Sequence, residues 1–480
     1  MTKRTKIVCT IGPASESRVV LEKMINAGMN VARLNFSHGN YKNHELLIRN
    51  IREVGWKLGQ PVGLLQDLQG PRVRVGKLPQ VGLSIARGDK VILIPESKIN
   101  YQLLAASSDK ILPIQYEALV KEVKPGSKIL ISDGLIELKV RKVKKLSSLI
   151  SCVVVRGGTI FSFRGMNVPG VKIQADVITS KDKEDLRFGL KQNVDWVALS
   201  FVKEAKDVVA LRKLIKTYQP HSQVKVMAKI ERREAVDNFD QILAVVDGVM
   251  VARGDLGIEL PAQQIPLIQK KIIEKCLAVA KPVIVATQML ESMMVNPRPT
   301  RAEVSDVANA VIDHTDAVML SGETATGNFP VEAVTIMAKT ISRTESSPYD
   351  DLLETSLPAY ESVAVAAADS IHHLVKKLHI KAIVAATNSG HTARIIARFR
   401  PETKILVMTE DQATQQQLTL VWGVEARLIK VQNNLNKLIQ QAVSLVHQEK
   451  IGKKGDKIII ASAYPVGSKE NLNLVKIADI

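Results

Sequence analysis

Eight apolar segments set the pattern of the chain, at residues 6–10, 30–34, 62–67, 194–200, 225–230, 248–251, 283–287 and 316–320. Each is rich in Val, Ile, Leu, Ala or Met, and each leads into a helical period. Runs without polar alternation fit parallel strands buried on both faces. Apart from one long gap after the third, they recur every 25–35 residues or so, the length of a βα unit. Eight units of this kind predict a closed (β/α)8 barrel. A doubly wound open sheet is the competitor, but eight consecutive repeats favour closure.

The gap, residues 72–170, has a different texture. Short β-branched runs at 90–95, 128–131, 135–143 and 149–155 are separated by turn chemistry at 123–127 and 132–134. This predicts a small β-domain inserted after the third barrel strand, placed to act as a lid. From about residue 346 the pattern changes again. A helix at 361–378 precedes strands at 382–387, 404–409, 424–430 and 457–463, with helices at 412–420 and 435–449 between them. The expected fold is α/β: a (β/α)8 TIM barrel (1–71 and 171–345), an inserted β lid (72–170) and a C-terminal open, mostly parallel α/β domain (346–480).

Charge narrows the partners. The net formal charge is +18, and the lid alone carries 17 basic against 7 acidic residues. That balance favours anionic ligands. Only 4% of residues are aromatic, and the basic stretches lack the interleaved rings that stack single-stranded bases. Small phosphorylated ligands are the better reading than nucleic acid, with a solvated basic surface as the plain alternative. No apolar run approaches the roughly 20 residues of a membrane helix, and residues 1–6 lead straight into a strand without a signal-peptide core. A cytoplasmic protein is expected. Cys9, Cys152 and Cys276 are odd in number and far apart, which supports neither a disulfide framework nor a zinc site and predicts plain buried thiols.

In a barrel, chemistry sits at the C-terminal ends of the strands. Strand two ends in Arg33, Asn35 and Ser37; strand three in Asp67; strand five in Lys229 and Glu231; strand six in Arg253, Gly254 and Asp255; strand seven in Thr287. Alternation puts Arg33 with Asn35, and Lys229 with Glu231, on one face. Glu231 and Asp255 lie 24 residues apart on adjacent predicted strands. Two carboxylates at a barrel mouth suit a hard divalent ion, although an ordinary pair of loop acids is the plain alternative. Lys229 beside Glu231 implies a strongly anionic ligand.

Several segments taken together resemble the pyruvate kinase family: Ile11-Gly-Pro-Ala-Ser15, Ala32-Arg-Leu-Asn-Phe-Ser-His-Gly39, Asp67-Leu-Gln-Gly-Pro71, Met227-Ala-Lys-Ile-Glu231, Val251-Ala-Arg-Gly-Asp-Leu-Gly257, Ala286-Thr-Gln-Met-Leu-Glu-Ser292, Pro297-Arg-Pro-Thr-Arg-Ala-Glu-Val304 and Met319-Leu-Ser-Gly-Glu-Thr-Ala325. The resemblance runs in order through the whole chain. It implies phosphoryl transfer from phosphoenolpyruvate to ADP, giving pyruvate and ATP, in a cytoplasmic homotetramer. By the same resemblance Glu231 and Asp255 hold Mg²⁺ or Mn²⁺. Arg33, Lys229, Gly254, Asp255 and Thr287 touch the substrate, and Asn35, Ser37 and Asp67 match a monovalent-cation site. Arg74 and Arg164 belong to the nucleotide site, with His38 beside it. Arg164 stands where a lid lysine is common. Arg72 stands where many relatives that need K⁺ carry glutamate, so an enzyme indifferent to K⁺ is expected. Thr387, Ser389 and Thr392, at a strand-to-helix turn, match a site for a phosphorylated effector closed over by the loop 465–471.

Thr300 and Glu303 form a capping box and predict a helix start. Two other readings compete with the kinase. A metal-dependent aldolase or lyase acting on pyruvate-like substrates would also pair Glu and Asp, but needs neither lid nor nucleotide pocket. A nucleic-acid binder would bind with steep salt dependence.

Overall fold

The computed structural model describes residues 3–99, 110–132, 134–171, 173–352, 362–432, 434–466 and 471–480. Glu361 of the expected C-terminal helix, Asp133 of the lid turn and residues 467–470 of the expected effector loop lie outside them.

Eight parallel strands close into a barrel: β1 Lys6–Thr10, β2 Val31–Asn35, β3 Gly63–Asp67, β4 Trp196–Leu199, β5 Lys225–Ile230, β6 Gly248–Ala252, β7 Val283–Ala286 and β8 Ala317–Leu320. Each pairs with its sequence neighbours, and β1 pairs with β8 to complete the ring. Successive side chains on a strand point to opposite faces. Val8 therefore packs with Val31, Leu65, Met227 and Ile284 inside the barrel, while Ile7 and Cys9 face the surrounding helices. Both sides are dry, which is why the strands read as unbroken apolar runs. The three thiols are free and buried, as expected.

The lid follows β3. Its six-stranded mixed sheet has the order Met166–Asn167, Lys128–Ile131, Ile136–Lys144, Leu149–Arg156, Lys90–Pro95, Lys110–Ile114. The last strand was not foreseen. It contains Pro113, which lacks a ladder donor and is tolerated because the strand lies at the sheet's edge. The C-terminal domain has four parallel strands and an unforeseen antiparallel edge strand, Leu474–Asp479. It docks under the N-terminal ends of the barrel strands. Trp422 is sandwiched there between Arg4 and Arg400, each 5.0 Å from its ring, and Leu420 plugs the barrel interior. The opposite end, toward the lid, is left for chemistry.

Candidate active site

The strand ends bring the expected residues to one place. The register puts Asn35 beside Asp67 across β2 and β3. Arg33 donates to Asp67 Oδ2 at 2.7 Å and to Thr10 Oγ1 at 2.8 Å. Lys229 Nζ lies 2.8 Å from Glu231 Oε1 and 3.3 Å from Asp67 Oδ1, and donates to Ser200 Oγ at 2.8 Å. The result is a buried lattice of alternating charge, in which Asp67 and Glu231 are each 1% exposed. Burial alone would raise the Asp67 carboxyl, but Lys229 and Arg33 outweigh it and hold the group below its ordinary value. Burial pulls Lys229 down; Asp67, Glu231 and more weakly Asp255 outweigh that pull and raise it. Both groups are thus held charged.

Glu231 is held from the neighbouring strand end. Its Oε2 accepts from the backbone N–H of Phe201 at 2.8 Å, a residue in the left-handed region at φ 56. Its Oε1 is buried and, among the described residues, meets the Lys229 ammonium at 2.8 Å and no other donor. A buried carboxylate oxygen already paired with a cation has the charge and hardness that suit a divalent ion. Asp255 sits half-buried in the first turn of the helix Arg253–Glu259. A narrow cavity of 70 Å³ between lid and barrel is lined by Arg72 and Asn167 on the lid side, and by Phe201, Arg232, Asp255 and Glu259 on the barrel side. Among the described residues, no cluster of three or more His, Cys, Asp and Glu is arranged for a metal.

Thr287 follows β7 with φ 69. Its Oγ1 accepts from the Gly254 N–H at 2.7 Å and donates to Ala286 O at 2.6 Å. Gly254 and Thr287, expected to share a substrate, are thus already in contact.

The residues expected at the nucleotide gather at the lid hinge. Arg74 donates to Phe163 O at 3.1 Å and bridges to Gly165, next to the exposed Arg164. Partial burial of the ring, then Arg72, Arg74 and Arg33, hold the His38 imidazole below its ordinary pKa, so the three guanidinium groups act on one imidazole. Asn35 Oδ1 is engaged with the backbone N–H of Ser37 at 3.1 Å. Far away, strands Ala382–Ala386 and Lys457–Ser462 pair in parallel, so the turns leaving them share one edge of the C-terminal sheet. Thr387 is half-buried, Ser389 exposed and Thr392 buried. Gly390 takes φ 72 between strand and helix, a conformation glycine adopts without strain.

The sequence reading missed Ser200, which bridges Lys229 to the Leu68 carbonyl at 2.7 Å. Its signal was its place as the last polar residue of the fourth apolar segment. It also missed Arg232, which is 7% exposed and follows Glu231 into the cavity.

Residues 2–334 match the profile described as the pyruvate kinase barrel domain, and residues 365–478 that of the pyruvate kinase alpha/beta domain. A pyruvate kinase of Geobacillus stearothermophilus is 43% identical over 479 residues, covering 99% of this chain and 80% of that protein. One of Bacillus licheniformis is 44% identical over 477 residues, with the same coverage. A crystal structure of a pyruvate kinase from Cryptosporidium parvum superposes with a TM-score of 0.91 at 36% identity, covering 99% of this chain and 96% of that one. With fold, strand-end chemistry and full-length similarity in agreement, the chain belongs to the pyruvate kinase family, phosphotransferases that move the phosphoryl group of phosphoenolpyruvate to ADP.

Proposed function

We propose that the reaction runs on the lattice of Arg33, Asp67, Lys229 and Glu231, and that this lattice carries the site assignment. Phosphoryl transfer asks a protein for positioning and for neutralisation of charge spread over the transferring oxygens. Lys229 and Arg33 are preorganised to supply it, because their charges are fixed by Asp67 and Glu231 before substrate arrives. Gly254, Asp255 and Thr287 orient the substrate, and Thr287 ends the path that delivers a proton to the terminal carbon of the enolate. Glu231 and Asp255 are the residues that hold Mg²⁺ or Mn²⁺, with further ligands from substrate and water. When bound, that ion lowers the cost of negative charge on the phosphoryl and enolate oxygens.

Arg74, Arg164 and His38 take the nucleotide. The lid (72–170) closes over the barrel (1–71 and 171–345) and excludes water from the transfer. Pyruvate kinases generally use Mg²⁺ and K⁺. For this chain we propose that Arg72 stands in for K⁺ beside Asn35, Ser37 and Asp67. The C-terminal domain (346–480) takes a phosphorylated activator at Thr387, Ser389 and Thr392, and the enzyme works as a cytoplasmic homotetramer. Among the described residues no helix is long and apolar enough to cross a membrane.

The test of the metal assignment is a Mg²⁺ titration of ADP-dependent pyruvate formation. Glu231→Ala and Asp255→Ala should each raise the Mg²⁺ requirement or abolish turnover. An unchanged Mg²⁺ dependence in both variants would remove the ion from these positions.

A further inference from the structure

Arg253 opens the helix after β6, and the partners of its guanidinium lie outside the carboxylate lattice. Nη1 donates to Asp306 Oδ1 at 2.7 Å and Nη2 lies 2.7 Å from Asp306 Oδ2, a two-pronged ion pair. Nη2 also donates to the Thr287 carbonyl at 2.8 Å, with Gln288 O at 3.3 Å and Met289 Sδ at 2.8 Å. The Arg253 side chain is 11% exposed. Asp306 belongs to the helix Arg301–Ile312. That helix is anchored at its start by the Thr300–Glu303 capping box, and Glu303 also ties down the Ser292 backbone at 2.7 Å.

The segment held in this way is strained. Thr287 and Gln288 are consecutive non-glycine residues at φ 69 and φ 55. Such a pair persists only where the surroundings over-determine it. Behind the turn, the guanidinium grips its two carbonyls. In front, the Thr287 hydroxyl meets the Gly254 N–H at 2.7 Å. Arg253 and Gly254 are neighbours in sequence, so residues 253–254 grip the turn from both sides.

We infer that the Arg253–Asp306 pair is a positioning clamp that sets the direction of the Thr287 hydroxyl. This rests on the reading of Thr287 as the end of the proton path. The clamp needs a planar fork. A lysine ammonium is a point charge and does not span both Asp306 oxygens and the Thr287 carbonyl together. Releasing the carbonyl lets the turn relax toward ordinary backbone angles and swings the hydroxyl away from Gly254.

The test uses the full-length enzyme and the variants Arg253→Lys, Asp306→Ala and Asp306→Asn. Three quantities are measured: steady-state ADP-dependent pyruvate formation, melting temperature, and exchange of pyruvate methyl protons for deuterium in D₂O with Mg²⁺ and ATP. In the exchange a C3 proton leaves and a deuteron returns, so no net oxidation or group transfer occurs. Misplacing a reacting group by an ångström costs about 10²-fold. Arg253→Lys and Asp306→Ala are expected to lower kcat and the exchange rate by that order, with the KM for phosphoenolpyruvate moving far less. Asp306→Asn keeps one acceptor and should recover part of the loss. Wild-type kcat and exchange in Arg253→Lys and Asp306→Ala would overturn the clamp. So would a fall in melting temperature with turnover per folded molecule unchanged. A wild-type enzyme without ADP-dependent pyruvate formation strikes instead at the assigned reaction. Loss of turnover with wild-type exchange overturns the link to Thr287.

Discussion

Lys229 Nζ stands 2.8 Å from Glu231 Oε1, two positions along the same strand end, and reaches 3.3 Å across the barrel mouth to Asp67. Lys229→Met removes the charge at the centre of this arrangement. Losing one preorganised charge of this kind lowers kcat by about 10²–10³-fold. Mg²⁺ binding should survive, because Glu231 loses its protein counter-charge and keeps its Phe201 N–H anchor. Steady-state kinetics and calorimetric Mg²⁺ titration check both halves. Near wild-type turnover removes Lys229 from the reaction.

Arg72 is exposed at the lid hinge and acts on both His38 and Arg74. An arginine is permanently charged, and Asp67 is already bracketed by Arg33 and Lys229. Turnover should therefore be equal in K⁺ and in tetramethylammonium buffers at matched ionic strength. Arg72→Glu should create a K⁺ requirement. An enzyme nearly inactive until K⁺ is added would show that Asn35, Ser37 and Asp67 form a working cation site.

The effector assignment predicts a separation of activities. Thr387, Ser389 and Thr392, all changed to Ala, should abolish the response to sugar phosphates and leave unactivated turnover intact. The turn lies at the C-terminal sheet, remote from the barrel mouth. Activation that persists in the triple variant places the effector elsewhere.

Asp350 gives a pH signature. It is 9% exposed, and burial pushes its carboxyl up to about 7 against the pull of Arg4, with Glu345 raising it, Arg400 lowering it and Asp351 raising it. His314 lies 4.0 Å away. An unfolded aspartate titrates near 3.9 or so. Between those two values the folded state binds a proton that the unfolded state has lost. Stability from this group is therefore full below the lower value and falls as pH rises toward the upper one. Asp350→Asn removes that slope, so its stability relative to wild type should rise between about pH 4 and pH 7 and level off above that. Denaturant melts across that range check it; a pH-independent difference refutes it.

The barrel was legible because its strands are dry on both faces. Ile7-Val8-Cys9 and Val283-Ile-Val-Ala286 read as strands before any coordinate is known. The polar residues that interrupt such runs at their C-terminal ends mark the candidate site, and Arg33, Asp67, Lys229, Glu231, Asp255 and Thr287 all fall there. The lid strand Lys110–Ile114 and the edge strand Leu474–Asp479 were not legible. One carries a proline and the other is only partly buried, so neither shows the pattern of a strand buried on both faces.

Local sequence thus determined which residues arrive at the barrel mouth, since strand direction and the period of two follow from neighbours along the chain. Tertiary structure decided what those residues do to one another. Ser200 bridging Lys229 to Leu68, Phe201 holding Glu231, and Asp306 holding Arg253 behind Thr287 all join residues from separate βα units. The physical reason is range. Backbone geometry is set over a few residues, whereas the charge state and orientation of a buried group depend on whatever the closed barrel packs within a few ångströms of it.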